Sequence, residues 1–176
     1  MCIISLLFSI NENTFSRKHR KYNSILAGEA SAKFTSLLGS IAVFDCRICE
    51  LPNKELVLDY FRWRNEDAHR NALNAYCYWK LRENNHSRIQ ATKKIEKLST
   101  SEKNELLFQF GINFNNLPSW QKRGVGVYWD KIEKKGFNPK TKQEVITKRN
   151  NLKINYDLPI KKEYENLILG FINKES

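Results

Sequence analysis

The sequence predicts an α+β fold in which strands are separated by long helices. Apolar residues recur at threes and fours through residues 15–38 and again from Asn53 to about Arg82, which is helical spacing. Apolar and polar residues alternate over Val125–Lys134 and Glu144–Arg149, which is strand spacing. No repeat, low-complexity linker or composition break marks a domain boundary. With 176 residues, 41% of them hydrophobic and 12% aromatic, the chain can bury a core and has a globular rather than a disordered composition.

Residues 3–10 read as a strand, and Asn11 to Thr14 as a turn and helix entry. The first helix is expected from Phe15 to Leu38, with Gly39 as its stop. Residues 41–50 return to strand and end at Leu51-Pro52-Asn53. Asn53 caps a long helix whose apolar stripe includes Leu56, Tyr60, Phe61, Ala68, Ala75 and Trp79, and Asn84-Asn85 breaks it. Shorter helices follow near 87–98 and 101–110, the second introduced by Ser99-Thr100-Ser101. An Asn-rich loop spans Gly111–Pro118, two strands flank a basic turn at Gly136–Lys142, and a last helix covers 161–173.

The opening residues imitate a signal peptide, but they lack a basic leader and a small-residue cleavage site and are too short to span a bilayer. They read as a core strand that starts abruptly, with something missing upstream. Cysteines stand at 2, 46, 49 and 77; Cys46 and Cys49 form one C-x-x-C pair, and no second pair completes a zinc site. Reduced thiols in a cytoplasm are the simpler account.

Thirty Lys and Arg against 19 acids leave a formal charge of +11. A surplus of that size favours polyanionic partners, because each neutralised phosphate releases condensed counterions. The excess concentrates in residues 121–149, where nine cations (among them Lys122, Arg123, Lys131, Lys135 and Lys148) face three acids. The competing account is a basic surface that serves only solubility.

No Ser-His-Asp grouping, phosphate loop or Gly-rich dinucleotide fingerprint is present, so bound phosphates must be held mainly by side chains. Three segments are candidates. In Arg17-Lys18-His19-Arg20-Lys21, helical spacing would put Arg17, Arg20 and Lys21 on one face able to grip a phosphate, against the alternative of a solvated basic helix start. In Asp67 to Asn74, Asp67, Arg70, Asn71 and Asn74 share a polar face with His69 on its flank. Asn is a poor helix-interior residue unless its amide finds a partner, although a solvent-facing strip is the plain alternative. Lys103-Asn104-Glu105 with Gly111–Pro118 is the third, and alone it reads as a helix start and an ordinary turn.

Taken in order, these segments resemble the tRNA-His guanylyltransferase family of 3′-to-5′ nucleotidyltransferases. The resemblance runs from residue 4 to about 130 and is carried by Phe15-Ser16-Arg17-Lys18-x-x-Lys21, Phe34-Thr35-Ser36, Phe44-Asp45-Cys46-Arg47 and Leu51-Pro52-Asn53. Its densest part is Tyr60 through Asn74, similar to the family's W-R-Q-x-D-x-H-x-N-x-x-N helix, and Lys103 to Phe108, Gly111 to Pro118 and Arg123-Gly124 follow in family order.

The resemblance implies a polymerase-like palm with a ferredoxin-like antiparallel sheet, here lacking its first strand and helix. Residues 1–52 would be the palm remnant, and 53–176 the helical and hairpin part that binds tRNA and nucleotide. It implies addition of guanylate to a tRNA 5′ end, with ATP activating the 5′-monophosphate, GTP attacking, and two Mg²⁺ ions held by palm carboxylates. Carried over by position, Arg17, Lys18, Lys21, His69, Asn71, Asn74, Lys103 and Asn113 bind nucleotide or tRNA phosphate. A homotetramer, a cytoplasmic location and no membrane association belong to the same expectation.

Two departures stand out. The family's first metal motif lies upstream of Met1, and Cys2 and Ile3 stand where its second has Asp and Glu, so the sequence offers no catalytic or metal-binding residue. A thiol is a poor ligand for Mg²⁺. Cys46 also replaces the family's F-D-G-R glycine, which matters if that turn requires a positive φ. The sequence therefore points to an enzyme of this family that is inactive as this chain alone, or to a non-catalytic RNA-binding or assembly protein derived from it.

Overall fold

The computed structural model describes residues 3–140 and 142–173. In chain order they form α1 (His19–Leu38), α2 (Lys54–Glu83), α3 (Arg88–Glu96), α4 (Thr100–Gln109), α5 (Ser119–Arg123), β1 (Gly126–Asn138), β2 (Gln143–Asn155) and α6 (Lys161–Asn173), with 3-10 turns at Thr14–Arg17 and Phe114–Asn116. The mixture of helices with an antiparallel sheet is the α+β fold the sequence predicts. The chain divides into two compact units, one from Met1–Asp59 with Asn166–Ser176 and the other from Tyr60–Glu165.

The second unit holds the core. Leu73, Cys77 and Leu81 recur every four residues along α2 and meet Ala91 and Ile95 of α3, Leu106 and Leu107 of α4, and Phe114. Local chemistry brings these helices together. Asn85, at φ 63, ends α2 in the left-handed conformation that Asn tolerates, and the His86 N–H closes back on the Leu81 carbonyl at 3.1 Å. Two reciprocal capping boxes then start the short helices, Ser87 with Gln90 for α3 and Ser99 with Glu102 for α4.

The hairpin follows. β1 pairs antiparallel with β2 from Gly126↔Asn155 to Asn138↔Gln143, longer at both strands than alternation alone predicts. At its base, a Cβ on Gly126 would come within 2.8 Å of Leu158, a buried residue, so glycine allows that close approach.

In the first unit, α1 begins four residues later than expected. Phe15, Ser16 and Arg17 all have φ near 55°, a left-handed turn that no helix continues through. Gly39, at φ 66, ends α1 as predicted, with its N–H on the Thr35 carbonyl. The strands expected at 3–10 and 41–50 are not formed: among the described residues the sheet consists of β1 and β2. A strand needs a ladder partner, and the amides of 42 and 44 are taken instead by α1 hydroxyls. The Ala42 N–H donates to Thr35 Oγ1 at 3.0 Å and the Phe44 N–H to Ser31 Oγ at 2.9 Å, while Phe44 stacks on Phe34. Cys46 is not among the positive-φ residues, so this turn does not require the glycine it replaces. Among the described residues of this unit only Ile168 is buried, and Leu37, Ile41 and Val43 are largely exposed.

Candidate functional site

In the second unit, the polar face of α2 is organised by Asp67. Its carboxylate accepts from Arg64 at 3.3 Å, Arg70 at 2.5 Å and Asn71 at 2.9 Å, so three of its helix neighbours are fixed by one acid. One turn on, the Oδ1 of Asn74 is buried and has no hydrogen-bond partner among the described residues, and Arg64 Nε is in the same state. A buried acceptor left unpaired costs free energy.

His69 leans from the flank of this face. Its ring stands edge-on to Phe114, centroids 5.3 Å apart, and Phe114 also packs edge-on against Tyr76, whose hydroxyl donates to Gln121 Oε1 at 2.5 Å. The Asn113 side chain caps the 3-10 turn that presents Phe114 by accepting the Asn115 N–H at 3.0 Å.

Two cations of α5 complete the group. Lys122 is only 7% exposed and donates its ammonium to the Asn115 carbonyl at 2.7 Å. Burial pushes its pKa down, with Arg123 adding to the effect and Asp157 opposing it. Arg123 donates to the Leu158 carbonyl at 3.2 Å and to Ser119 Oγ at 2.8 Å, leaving Asp157 at 3.9 Å as a loose, exposed counter-charge. Burial first, then Arg123 and Lys122, hold the His69 pKa below the ordinary imidazole value. A neutral imidazole beside two fixed cations is an arrangement that an incoming anion would stabilise.

The structure thus brings His69 together with the turn that follows Asn113, while Asn71 and Asn74 share the same helix. Lys103 lies on α4; its carbonyl accepts from the Cys77 thiol at 3.5 Å, and no hydrogen bond or ion pair joins its ammonium to His69 among the described residues. Lys122, Arg123 and Gln121 were not singled out as site residues by sequence reasoning. The signal for them was the basic run beginning at 121, whose first two cations, Lys122 and Arg123, are the charges that act on His69.

Arg17, Lys18 and Lys21 belong to the first unit. The expected shared face of Arg17, Arg20 and Lys21 does not form, because Arg17 precedes α1 and its guanidinium donates to the carbonyls of Ile10 at 3.0 Å and Glu12 at 2.9 Å. Arg17 holds its own loop, whereas Lys18 and Lys21 flank the α1 N-terminus, where the N-cap Lys18 makes no side-chain capping hydrogen bond.

The residues present do not fit the Mg²⁺ ions that the resemblance implies. Among the described residues no three His, Cys, Asp or Glu side chains converge as a metal site. The Asp67 carboxylate is fully engaged by cations and an amide, Asp45 pairs with Arg47 at 3.5 Å, and Cys2 lies outside the described residues. No described helix is long and apolar enough to cross a membrane.

Comparison with known proteins places the chain in a family. The Thg1 C terminal domain family matches residues 55–168, which contain α2 through β2, the His69 group and most of α6. A probable tRNA(His) guanylyltransferase of Mus musculus is 29% identical over 140 residues, 73% of this chain and 47% of that protein. The probable tRNA(His) guanylyltransferase of Drosophila melanogaster is 42% identical over 84 residues, 47% of this chain and 29% of that protein. In Arabidopsis thaliana, tRNA(His) guanylyltransferase 2 is 41% identical over 86 residues, 48% of this chain and 16% of that protein. The chain therefore spans about half, or less, of the length of these relatives. With the matched span covering the greater part of the chain, the protein belongs to the tRNA(His) guanylyltransferase family through a Thg1 C terminal domain.

Proposed function

We propose that this chain carries the nucleotide- and tRNA-gripping part of a guanylyltransferase that adds guanylate to a tRNA 5′ end, and that the chain alone does not catalyse the transfer. Residues 1–52 then belong to a polymerase-like palm, and residues 53–176 are the part that holds tRNA phosphate and the triphosphates of GTP and ATP. His69, Asn71, Asn74, Lys103 and Asn113 bind phosphate or nucleotide on α2, α4 and the following turn, with Lys122 and Arg123 added to them. Lys18 and Lys21 hold phosphate at the α1 N-terminus, and Arg17 supports them by fixing the preceding loop. Assembly of copies as a homotetramer and a cytoplasmic location complete the proposal.

The observation that supports it best is the contact of His69 with Phe114 beside Lys122 and Arg123, inside the span matched by the family. Chemically this is a positively charged, partly desolvated pair of anchors whose charge acts on a neutral imidazole, suited to a phosphate. Inactivity of the chain alone is supported by the donor set: carboxylates able to hold Mg²⁺ are not assembled among the described residues. No step is assigned to the metal.

The test mixes the purified chain with 5′-monophosphorylated tRNA, ATP, labelled GTP and Mg²⁺, and records tRNA binding in parallel. Binding that weakens with salt and no label at the 5′ end is the expected result. Label transfer would overturn the inactivity, and absence of binding at low salt would overturn the function.

A further inference from the structure

The outer ridge of α3 carries charge that the His69 group does not use. Ala91 and Ile95 bury the inner face of this helix in the core, and Arg88, Lys93, Lys94 and Lys97 stand exposed on the outside with Glu96 among them. Gln90, Lys93, Lys94 and Lys97 follow helical spacing and, with His86 and Glu96, line a shallow open depression of about 590 Å³. No ion pair engages any of the four cations among the described residues.

Local stability does not account for this arrangement. Lys93 and Lys94 suit the C-terminal turn of a helix, but Arg88 sits in the first turn, where the helix dipole disfavours a cation. Lys93 and Lys97 are like charges at a spacing that costs stability unless an anion lies between them. The ridge has the wrong composition for a protein interface, where lysine is depleted and aromatic anchors dominate. Its one large apolar residue is Ile89, 69% exposed. Lysines without aromatics act as point charges that position a phosphodiester backbone and do not read bases.

We infer that the α3 ridge of Arg88, Lys93, Lys94 and Lys97 is a second, sequence-independent RNA-backbone contact, on a different helix from the His69 group. The inference rests on the reading of the chain as a tRNA-binding protein and names a surface by which the tRNA body is held.

Anisotropy of a fluorescent tRNA transcript, titrated with the whole chain over a series of KCl concentrations, tests it. The triple variant Lys93→Gln, Lys94→Gln, Lys97→Gln is expected to bind about tenfold or more weakly, with the slope of log K against log salt shallower by about 2, as follows when up to three phosphate contacts are lost. The triple Lys→Arg variant, which keeps the charge, is expected to bind as wild type does. Equal affinity and slope for the Gln variant would overturn the inference and leave the proposed function standing. Failure of the wild type to bind tRNA at low salt would overturn both. Should the Gln variant fail to fold, Lys94→Cys carrying a photoactivatable aryl azide is expected to cross-link the tRNA, and no cross-link would overturn the inference.

Discussion

The imidazole of His69 stands edge-on to the phenyl ring of Phe114, with centroids 5.3 Å apart and planes at 74°. The ring gains packing and loses water, and Lys122 and Arg123 add positive potential, so its pKa is held down by burial first and by the two cations second. The unfolded chain takes a proton at the ordinary imidazole value while the folded chain resists it. Stability is therefore complete above that value and falls as pH drops through it. Melting temperatures from about pH 7.5 to pH 5, bracketing the ordinary imidazole range, should decline on the acid side. In His69→Gln that decline should be smaller; an unchanged acid slope in the variant would show that another group causes it.

Lys122 is a buried cation whose ammonium is committed to one carbonyl, that of Asn115, at 2.7 Å. Lys122→Met keeps most of the volume and leaves the carbonyl without its donor, at an expected cost of about 1–3 kcal/mol. Urea denaturation measures this. A variant as stable as wild type would mean that water replaces the ammonium at that carbonyl.

Neighbouring residues on α4 should respond very differently. Leu107 is fully buried in the core it shares with α2 and α3, whereas Phe108 is 66% exposed. Leu107→Ala removes core volume and should cost about 2–5 kcal/mol, and Phe108→Ala should change stability by less than about 1 kcal/mol. Similar losses for both, in the same urea series, would place Phe108 in a contact of its own.

The α4 N-terminus offers a local test. Ser99 Oγ accepts the Glu102 N–H and the Glu102 carboxylate accepts the Ser99 N–H; the Ser99 side chain first, and then its N–H, pull the Glu102 pKa below its usual value. Ser99→Ala should cost about 1 kcal/mol at neutral pH by thermal melt. Glu102 contributes above the ordinary carboxylate value and loses its contribution as pH falls, so the deficit of Glu102→Gln against wild type should shrink on acidification.

The elements that local chemistry decides were legible in the sequence. Asn84-Asn85 ending α2, the Ser99 start of α4 and Gly39 closing α1 each act within a few residues, and the structure places the helix ends there, whereas the box at Ser87 is found only in the structure. The segments 3–10 and 41–50 were misread because alternation specifies a strand only when a partner strand is present. In 41–50 the Ser31 and Thr35 hydroxyls take the amides of 42 and 44 that a ladder would have used. Within the site, the polar face of α2 could be read from spacing, whereas the approach of Lys122 and Arg123 to His69 spans more than fifty residues and depends on the turn at Phe114. The left-handed run at Phe15–Arg17 is carried by no glycine, so nothing in the residue types announced it.

A polyanion bound at Lys122 and Arg123 would reverse the potential felt by His69. The cations that now disfavour the imidazolium would be offset by phosphate oxygens, and the pKa of the ring would rise on binding. By linkage, binding then takes up a proton, so affinity for tRNA should increase as pH falls through the ordinary imidazole range. That is opposite in sign to the stability change predicted for the free protein over the same range. Anisotropy titrations at fixed ionic strength from about pH 7.5 to pH 6 would measure this uptake, with His69→Gln as the control that should flatten it. Removing the anchor with Arg123→Ala should weaken binding at every pH and reduce the salt slope by about 1. Affinity that is flat with pH in the wild type would mean that the phosphate does not reach His69, and would move the tRNA contact on this helix to Asn71 and Asn74.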